Sequence, residues 1–174
     1  MCMNNNELKT EKKWYALYTR PRSEFKAASQ LSNIKVEYYL PQITVLRQWS
    51  DRKKKVREPL IKSYIFIKAN EKERLLAVEE QAIIRCLFYR GKPASIPEFE
   101  IENLRNFVKE EYEYKVINEI VKGSKIKITE GPMAGVEGVV INEDDNKAIA
   151  VSIEILNRTV ITYIKDTSIL ELLK

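Results

Sequence analysis

The stretch "KITEGPMAGVEGVVI", Lys127 to Ile141, holds Gly131, Gly135 and Gly138, three of the chain's five glycines. Two architectures compete for such a cluster. A phosphate cradle needs Gly-x4-Gly-Lys-Ser/Thr, so that the lysine reaches the outer phosphates and the hydroxyl meets magnesium. Here Gly135 is followed by Val136. A dinucleotide fingerprint needs G-x-G-x-x-G opening a helix, whereas this spacing is G-x3-G-x2-G and "VEGVVI" favours a strand. A turn between two strands accounts for every residue. "KIKIT" alternates polar and apolar as a half-buried strand does. Pro132 fixes φ within "EGPMAG", and glycine accepts φ > 0 where a β-carbon would clash. Gly138 suits a bend at a barrel corner. "KIKIT", "VEGVVIN", "AIAVSIEIL" and "TVITYI" follow one another with turns between them, so the last roughly 55 residues read as a small five-stranded β-barrel.

The preceding part mixes both periodicities. "WYALYT" is a strand ending at Arg20-Pro21. "SEFKAASQLSNI" is a helix with Ser23 as N-cap and Phe25, Ala28 and Leu31 on its apolar face. "VEYYLPQITVLRQW" is extended, with Pro41 marking an edge or bulge. It pairs with "EPLIKSYIFIKA" as a hairpin whose tip is the basic run "SDRKKKVR". "EKERLLAVEEQ" is a helix, "AIIRCLFY" a strand and "RGKPASIP" a turn. In "EFEIENLRNFVKEEYEY" the apolar stripe of a helix is Phe99, Leu104, Phe107 and Val108. The order β-α-β-β-α-β-α makes an α+β sandwich with helices on a mainly antiparallel sheet. Expected boundaries are a disordered leader 1–13, an N-terminal domain 14–114, a linker 115–122 and the C-terminal domain 123–174.

Composition narrows the chemistry. The chain has no histidine, which removes the commonest general base and metal ligand. Cys2 and Cys86 lie far apart and outside any CxxC, so neither a disulfide framework nor a metal site is expected. Nothing points to a cofactor or to catalysis. No apolar run approaches the roughly 20 residues of a membrane span, and "MCMNNNELKTEKK" lacks the apolar core of a signal peptide. A cytoplasmic, monomeric protein with no membrane role is expected. Through Lys115 there are 23 Lys+Arg against 16 Asp+Glu; from Val116 onward there are 7 against 9. A basic front and a slightly acidic back suggest two modules with different partners.

"KGSKIKITEGPMAGVEGVVI" resembles the KOW motif of NusG-type transcription elongation factors. "WYALYTRPR", "YLPQITV" and "EPLIKSYIFI" resemble the NusG N-terminal (NGN) domain in order and spacing, and "SIEILNRTVITYIKDTSILELL" resembles the end of the C-terminal domain. Together they cover about Trp14 to Lys174 and imply an NGN α/β sandwich followed by an SH3-like KOW barrel. Housekeeping NusG usually reads Pro-Gly-Tyr-Val where this chain has Lys62-Ser63-Tyr64-Ile65. "EPL" followed by "YIF", with the basic "DRKKKVR", looks more like RfaH and the UpxY-type antiterminators of surface polysaccharide operons.

The resemblance implies a non-enzymatic factor that binds the clamp helices of RNA polymerase's largest subunit and suppresses pausing or termination. Tyr18, Tyr64 and Phe66 match aromatic positions of the polymerase-binding patch in RfaH, and an exposed Phe66 would tolerate truncation without loss of fold. Arg20 and Lys26 match positions that reach the nontemplate strand, and Arg22 lies beside them. Arg52, Lys53, Lys54, Lys55 and Arg57 are placed to follow upstream duplex phosphates. Gly131, Gly135 and Gly138 form the KOW turn. Relatives bind the ribosomal protein NusE through the barrel, and the resemblance leaves Rho binding open. Leu75-Leu76-Ala77 stands where RfaH has a polar motif that touches the polymerase gate loop. Glu79 and Ala82 stand where it helps to read a DNA element, with Arg85 nearby. The alternatives are a general housekeeping NusG and a ribosome- or RNA-associated KOW protein. The latter predicts basic barrel loops, which the acidic C-terminal part does not supply.

Overall fold

The computed structural model describes residues 11–49, 52–109, 112–143, 146–163 and 170–173; Cys2 and most of the expected leader lie outside them. In chain order the elements are β1 (Lys13–Thr19), α1 (Glu24–Asn33), β2 (Glu37–Tyr39), β3 (Gln42–Gln48), β4 (Lys53–Pro59), β5 (Tyr64–Ala69), α2 (Glu71–Val78) and β6 (Ile83–Cys86). Next come β7 (Phe88–Tyr89), β8 (Lys92–Pro93), β9 (Ser95–Ile96), α3 (Glu98–Phe107), β10 (Tyr114–Ile117) and β11 (Ser124–Ile128). The chain closes with β12 (Glu137–Glu143), β13 (Asn146–Ile153), a 3-10 turn (Glu154–Leu156), β14 (Arg158–Tyr163) and β15 (Leu170–Leu172). Every described strand pair is antiparallel. This is a mixed α/β fold with few helices. None of the described helices is long and apolar enough to cross a membrane.

Two compact units result: 1–41 with 61–98, and 42–60 with 99–174. The β3–β4 hairpin and α3 group with the second unit.

In the first unit the strand order is β2-β5-β1-β6, and β9 also pairs with β1. Pro41 separates two strands: β2 is an edge of this sheet, while β3 pairs elsewhere. Leu17, Ile65, Ile67, Ile83 and Cys86 form one core with Ala27, Ala28 and Leu31 of α1 and Ala77 of α2. Each large aliphatic side chain so buried contributes about 1.5–3 kcal/mol. Burial pushes the Cys86 thiol up, so it stays protonated and unreactive.

The buried face of α1 is Glu24, Ala27, Ala28 and Leu31; Phe25 is 44% exposed. The apolar stripe expected through Phe25 is thus displaced, because an acid occupies the first position of the inward i, i+3, i+4, i+7 series. Ser23 stands at the N-cap but makes no capping bond, its hydroxyl donating to the Pro21 carbonyl instead. Helix α2 is closed by a reciprocal capping box. The Glu73 N–H donates to the Asn70 side chain, and the Asn70 N–H donates to the Glu73 carboxylate. Burial pulls the Glu73 carboxyl up, but Lys12 at 2.8 Å and the Asn70 N–H together bring it below its usual value.

The second unit carries a six-stranded sheet in the order β10-β14-β13-β12-β11-β15. Five strands were expected. The sixth, β10, comes from the segment expected to be linker, and no pairing closes the sheet into a barrel among the described residues. Thr159 and Thr162 on β14 are buried, and their hydroxyls donate to the carbonyls of Glu119 and Glu113. Buried hydroxyls require partners, and these are supplied from either side of β10. Ile117 and Val121 then pack on Ala148, Ala150 and Ile161.

In α3 the buried residues are Ile101, Leu104 and Phe107, while Phe99 is 65% exposed. Phe99 lies two positions before Ile101, about 200° round the helix, so it cannot share that face. The Asn103 side chain both accepts from the Glu137 N–H at 2.8 Å and donates to the Glu137 carbonyl.

Candidate nucleic-acid and partner interface

Strands β5, β1 and β6 lie side by side, and their register aligns three residues across the sheet. Tyr18 pairs with Tyr64 on one side and with Arg85 on the other. Directly paired residues share a sheet face. The two rings meet edge to face with centroids 5.4 Å apart, and the Arg85 guanidinium lies 5.9 Å from the Tyr18 centroid. Both tyrosines are half-buried. A β-bulge between Tyr18 and Thr19 leaves Ile84 outside the register and 47% exposed.

Phe66 departs from expectation. It pairs with Ala16 and Tyr39, stacks on the Tyr39 ring with centroids 6.2 Å apart, and is fully buried. Burial in β5 is not confined to one face: Ile65, Phe66 and Ile67 are all inaccessible. An alternation argument that assigns one face to solvent therefore fails on a central strand. Phe66 belongs to the sheet's interior packing, and Tyr18 and Tyr64 form the accessible aromatic pair.

Beyond the end of β1 the chain turns so that Arg20, Arg22 and Lys26 are exposed. The Arg20 Nε donates to the Gln81 carbonyl at 2.8 Å, and the Lys26 Nζ donates to Gln81 Oε1 at 2.8 Å. The Ala82 N–H donates to Gln30 Oε1 at 2.9 Å, which ties the same loop to α1. Gln81 thus gathers two cations from distant parts of the sequence, and nothing in its local sequence signals this. Its partnership is neutral. Among the described residues no ion pair involves Arg20, Arg22, Lys26 or Arg85. Their charge stays available to an anionic partner.

The turn before β5 is set by Ser63, whose φ is +63°. Its N–H donates to Glu24 Oε1 at 2.7 Å. The buried acid of α1 therefore holds the turn that presents Tyr64.

The second unit carries the basic hairpin. The run expected to be its tip is its return strand: β4 pairs with β3 from Lys53↔Gln48 to Pro59↔Gln42. Strand alternation puts Lys53, Lys55 and Arg57 on one face and Lys54 on the other. Lys54 sits 5.5 Å over the Trp49 ring. Arg47 makes a bidentate bond to Glu58 at 2.7 and 2.8 Å, and that bond and charge raise its pKa further. Arg52 lies in the connection before β4. The positive residues of the hairpin are thus divided between two faces and one internal ion pair.

At the glycine cluster, Gly131 and Gly135 have φ of +85° and +88°, where a side chain would be strained. The Gly135 N–H donates to the Ile128 carbonyl at 2.7 Å, closing a turn between β11 and β12. Gly138 lies in β12 against β13: a β-carbon there would come within 2.7 Å of the Ala150 carbonyl oxygen. Its requirement is close approach to the neighbouring backbone. Among the described residues no group of His, Cys, Asp and Glu is placed to hold a metal.

A family model described as "Transcription termination factor nusG" matches residues 12–105, more than half of the chain. Among solved structures, "Domain interaction in Thermotoga maritima NusG" aligns with a TM-score of 0.52 and 20% identity, covering 95% of this chain and 99% of that one. "Crystal Structure of MjSpt4:Spt5 complex conformation A" aligns with a TM-score of 0.35 and 14% identity, covering 92% of this chain and 98% of that one. The family match spans β1 through most of α3, the segment that carries the tyrosine pair and the cations at Gln81, and the chain belongs to the NusG family of transcription factors.

Proposed function

We propose that the chain is a non-enzymatic, cytoplasmic elongation and antitermination factor. It binds the clamp helices of RNA polymerase's largest subunit and contacts nontemplate or upstream DNA. The observation that carries this reading is the row Arg85–Tyr18–Tyr64 together with the cations Arg20, Arg22 and Lys26, which no carboxylate among the described residues neutralises. Half-buried tyrosines on rigid strands bury large area on docking at little entropy cost. Uncompensated cations next to them draw a phosphate backbone. Tyr18 and Tyr64 take the protein contact, with the buried Phe66 next to them on the same sheet face as support. Arg20, Arg22 and Lys26 take the nontemplate strand. Arg52, Lys53, Lys55 and Arg57 of the hairpin take duplex phosphates, with Lys54 in a lesser part.

The six-stranded sheet with its glycine turn is the KOW-type module, and the ribosomal protein NusE is its proposed partner. Ser63 at a left-handed position, where housekeeping relatives carry glycine, favours a specialised RfaH/UpxY-like member acting on selected operons.

The test is capture of core RNA polymerase by the full chain, compared with Tyr18→Ala and Tyr64→Ala. Retained capture by both variants rejects the patch. Genomic occupancy confined to a few operons supports the specialised role; uniform occupancy rejects it.

A further inference from the structure

The β7–β8 hairpin is not accounted for by the surface described above. Its two-residue loop, Arg90-Gly91, has φ of +50° and +76°, the mirror-image turn that matches strand twist. Tyr89 pairs with Lys92 and Phe88 with Pro93. The Leu87 N–H donates to the Ala16 carbonyl at 3.0 Å and the Ala94 N–H to the Leu87 carbonyl at 2.9 Å, so the ribbon is pinned at its base to β1.

On this ribbon Phe88 is 59% and Tyr89 58% exposed. They project to opposite faces, so neither gains the burial that ordinarily repays an aromatic ring. The Arg90 guanidinium lies 5.2 Å from the Tyr89 centroid, and Lys92 shares the Tyr89 face. From Gln81 to Pro97 the chain carries Arg85, Arg90 and Lys92 and no acidic residue. A protein-docking core would be depleted of charge. Rigid, exposed rings interleaved with cations, without any acid, match a strand that offers π-faces and phosphates together.

We propose that the β7–β8 hairpin is a base-stacking platform for a single nucleic-acid strand. Phe88 and Tyr89 take bases on the two faces of the ribbon while Arg90 and Lys92, at its turn, hold the adjoining phosphates. The turn pre-sets the rings, which lowers the ordering cost of binding. The platform needs no polymerase, so it stands or falls apart from the function proposed above.

The experiment uses the full chain and fluorescein-labelled strands of about 12 nucleotides: oligo-dT, oligo-rU and an abasic strand of equal length. Wild type binds at least one base-bearing strand more tightly than the abasic one, and the preferred strand tells DNA from RNA. Phe88→Ala and Tyr89→Ala each weaken that binding about fivefold or more and erase the preference over the abasic strand. Tyr89→Phe retains it, and Tyr89→Leu, which keeps apolar bulk, loses it. Arg90→Ala and Lys92→Ala each lower the log-log salt slope by about 0.7. In contrast, Arg20→Ala weakens base-bearing and abasic strands alike. Equal binding of wild type to all three strands, or ring variants that bind as wild type, overturns the proposal. Ring variants that bind strands normally but fail to capture RNA polymerase also overturn it, making the hairpin a protein contact.

Discussion

The N–H of Ser63 donates to the buried carboxylate of Glu24 at 2.7 Å. The acid sits in the first turn of α1, where the helix dipole favours negative charge. The acceptor is fixed by α1, and the donor belongs to a residue held at φ +63°. Glu24→Ala leaves that N–H without its acceptor and costs about 1–3 kcal/mol. Ser63→Gly relieves the left-handed strain and stabilises by about 1 kcal/mol. Chemical denaturation of the two variants checks both signs. Destabilisation by Ser63→Gly would refute the strain.

Phe66→Ala removes a fully buried ring and costs about 3–5 kcal/mol. Tyr64→Ala, at a half-buried position on the same strand, costs less. Urea midpoints order the two. If Phe66→Ala melts with the wild type, the ring is not part of the packing.

Helix α2 depends on its capping box. Asn70→Ala removes the acceptor of the Glu73 N–H and costs about 1 kcal/mol. Asn70→Ser retains a capping oxygen and recovers most of the loss. Hydrogen exchange at the first turn of α2 reports the change locally.

Charge reversal on the hairpin separates its faces. Lys53→Glu and Lys55→Glu each lower the log-log salt slope for duplex DNA by at least about 0.9. Lys54→Glu changes it less, because its ammonium lies over Trp49. A larger effect at Lys54 than at Lys53 and Lys55 would refute the division of the run.

Glu100 is a pH-dependent weak point of the second unit. Burial pushes its carboxyl above the usual 4.5, and the Glu154 carboxylate adds to this, while the Glu154 N–H opposes it. Glu100 Oε2 is buried without a hydrogen-bond partner. A raised folded-state pKa gives stability that is full below the unfolded value and lost as pH rises through the folded one. Glu100→Gln therefore raises the thermal midpoint modestly at pH 7, and the gain fades as the pH falls to about 4. A gain that does not change between these pH values would show that the charge is not responsible.

Periodicity and turn chemistry act over a few residues, and what they govern was legible in the chain itself. The strand character of "WYALYT" and "KIKIT", the glycine turn at Gly131 and Gly135, the helix at Glu71–Val78 and the break at Pro41 are all of this kind. The failure of every phosphate motif is likewise local. Other features required the folded chain. Phe66 became interior because β5 is buried on both faces, and an alternating strand does not announce that. Glu24 hid the inward stripe of α1, since an acid on a buried face makes sense only beside its distant N–H donor. Tyr114–Ile117, which runs into the expected linker, pairs as β10 with the distant β14, whose Thr159 and Thr162 hydroxyls donate to the flanking carbonyls of Glu119 and Glu113. Arg20 and Lys26 meet at Gln81, 61 and 55 residues away. Local sequence determines which backbone conformations are cheap. Contacts between remote segments decide which surfaces lose water, and with them which charges and rings are left to meet a partner.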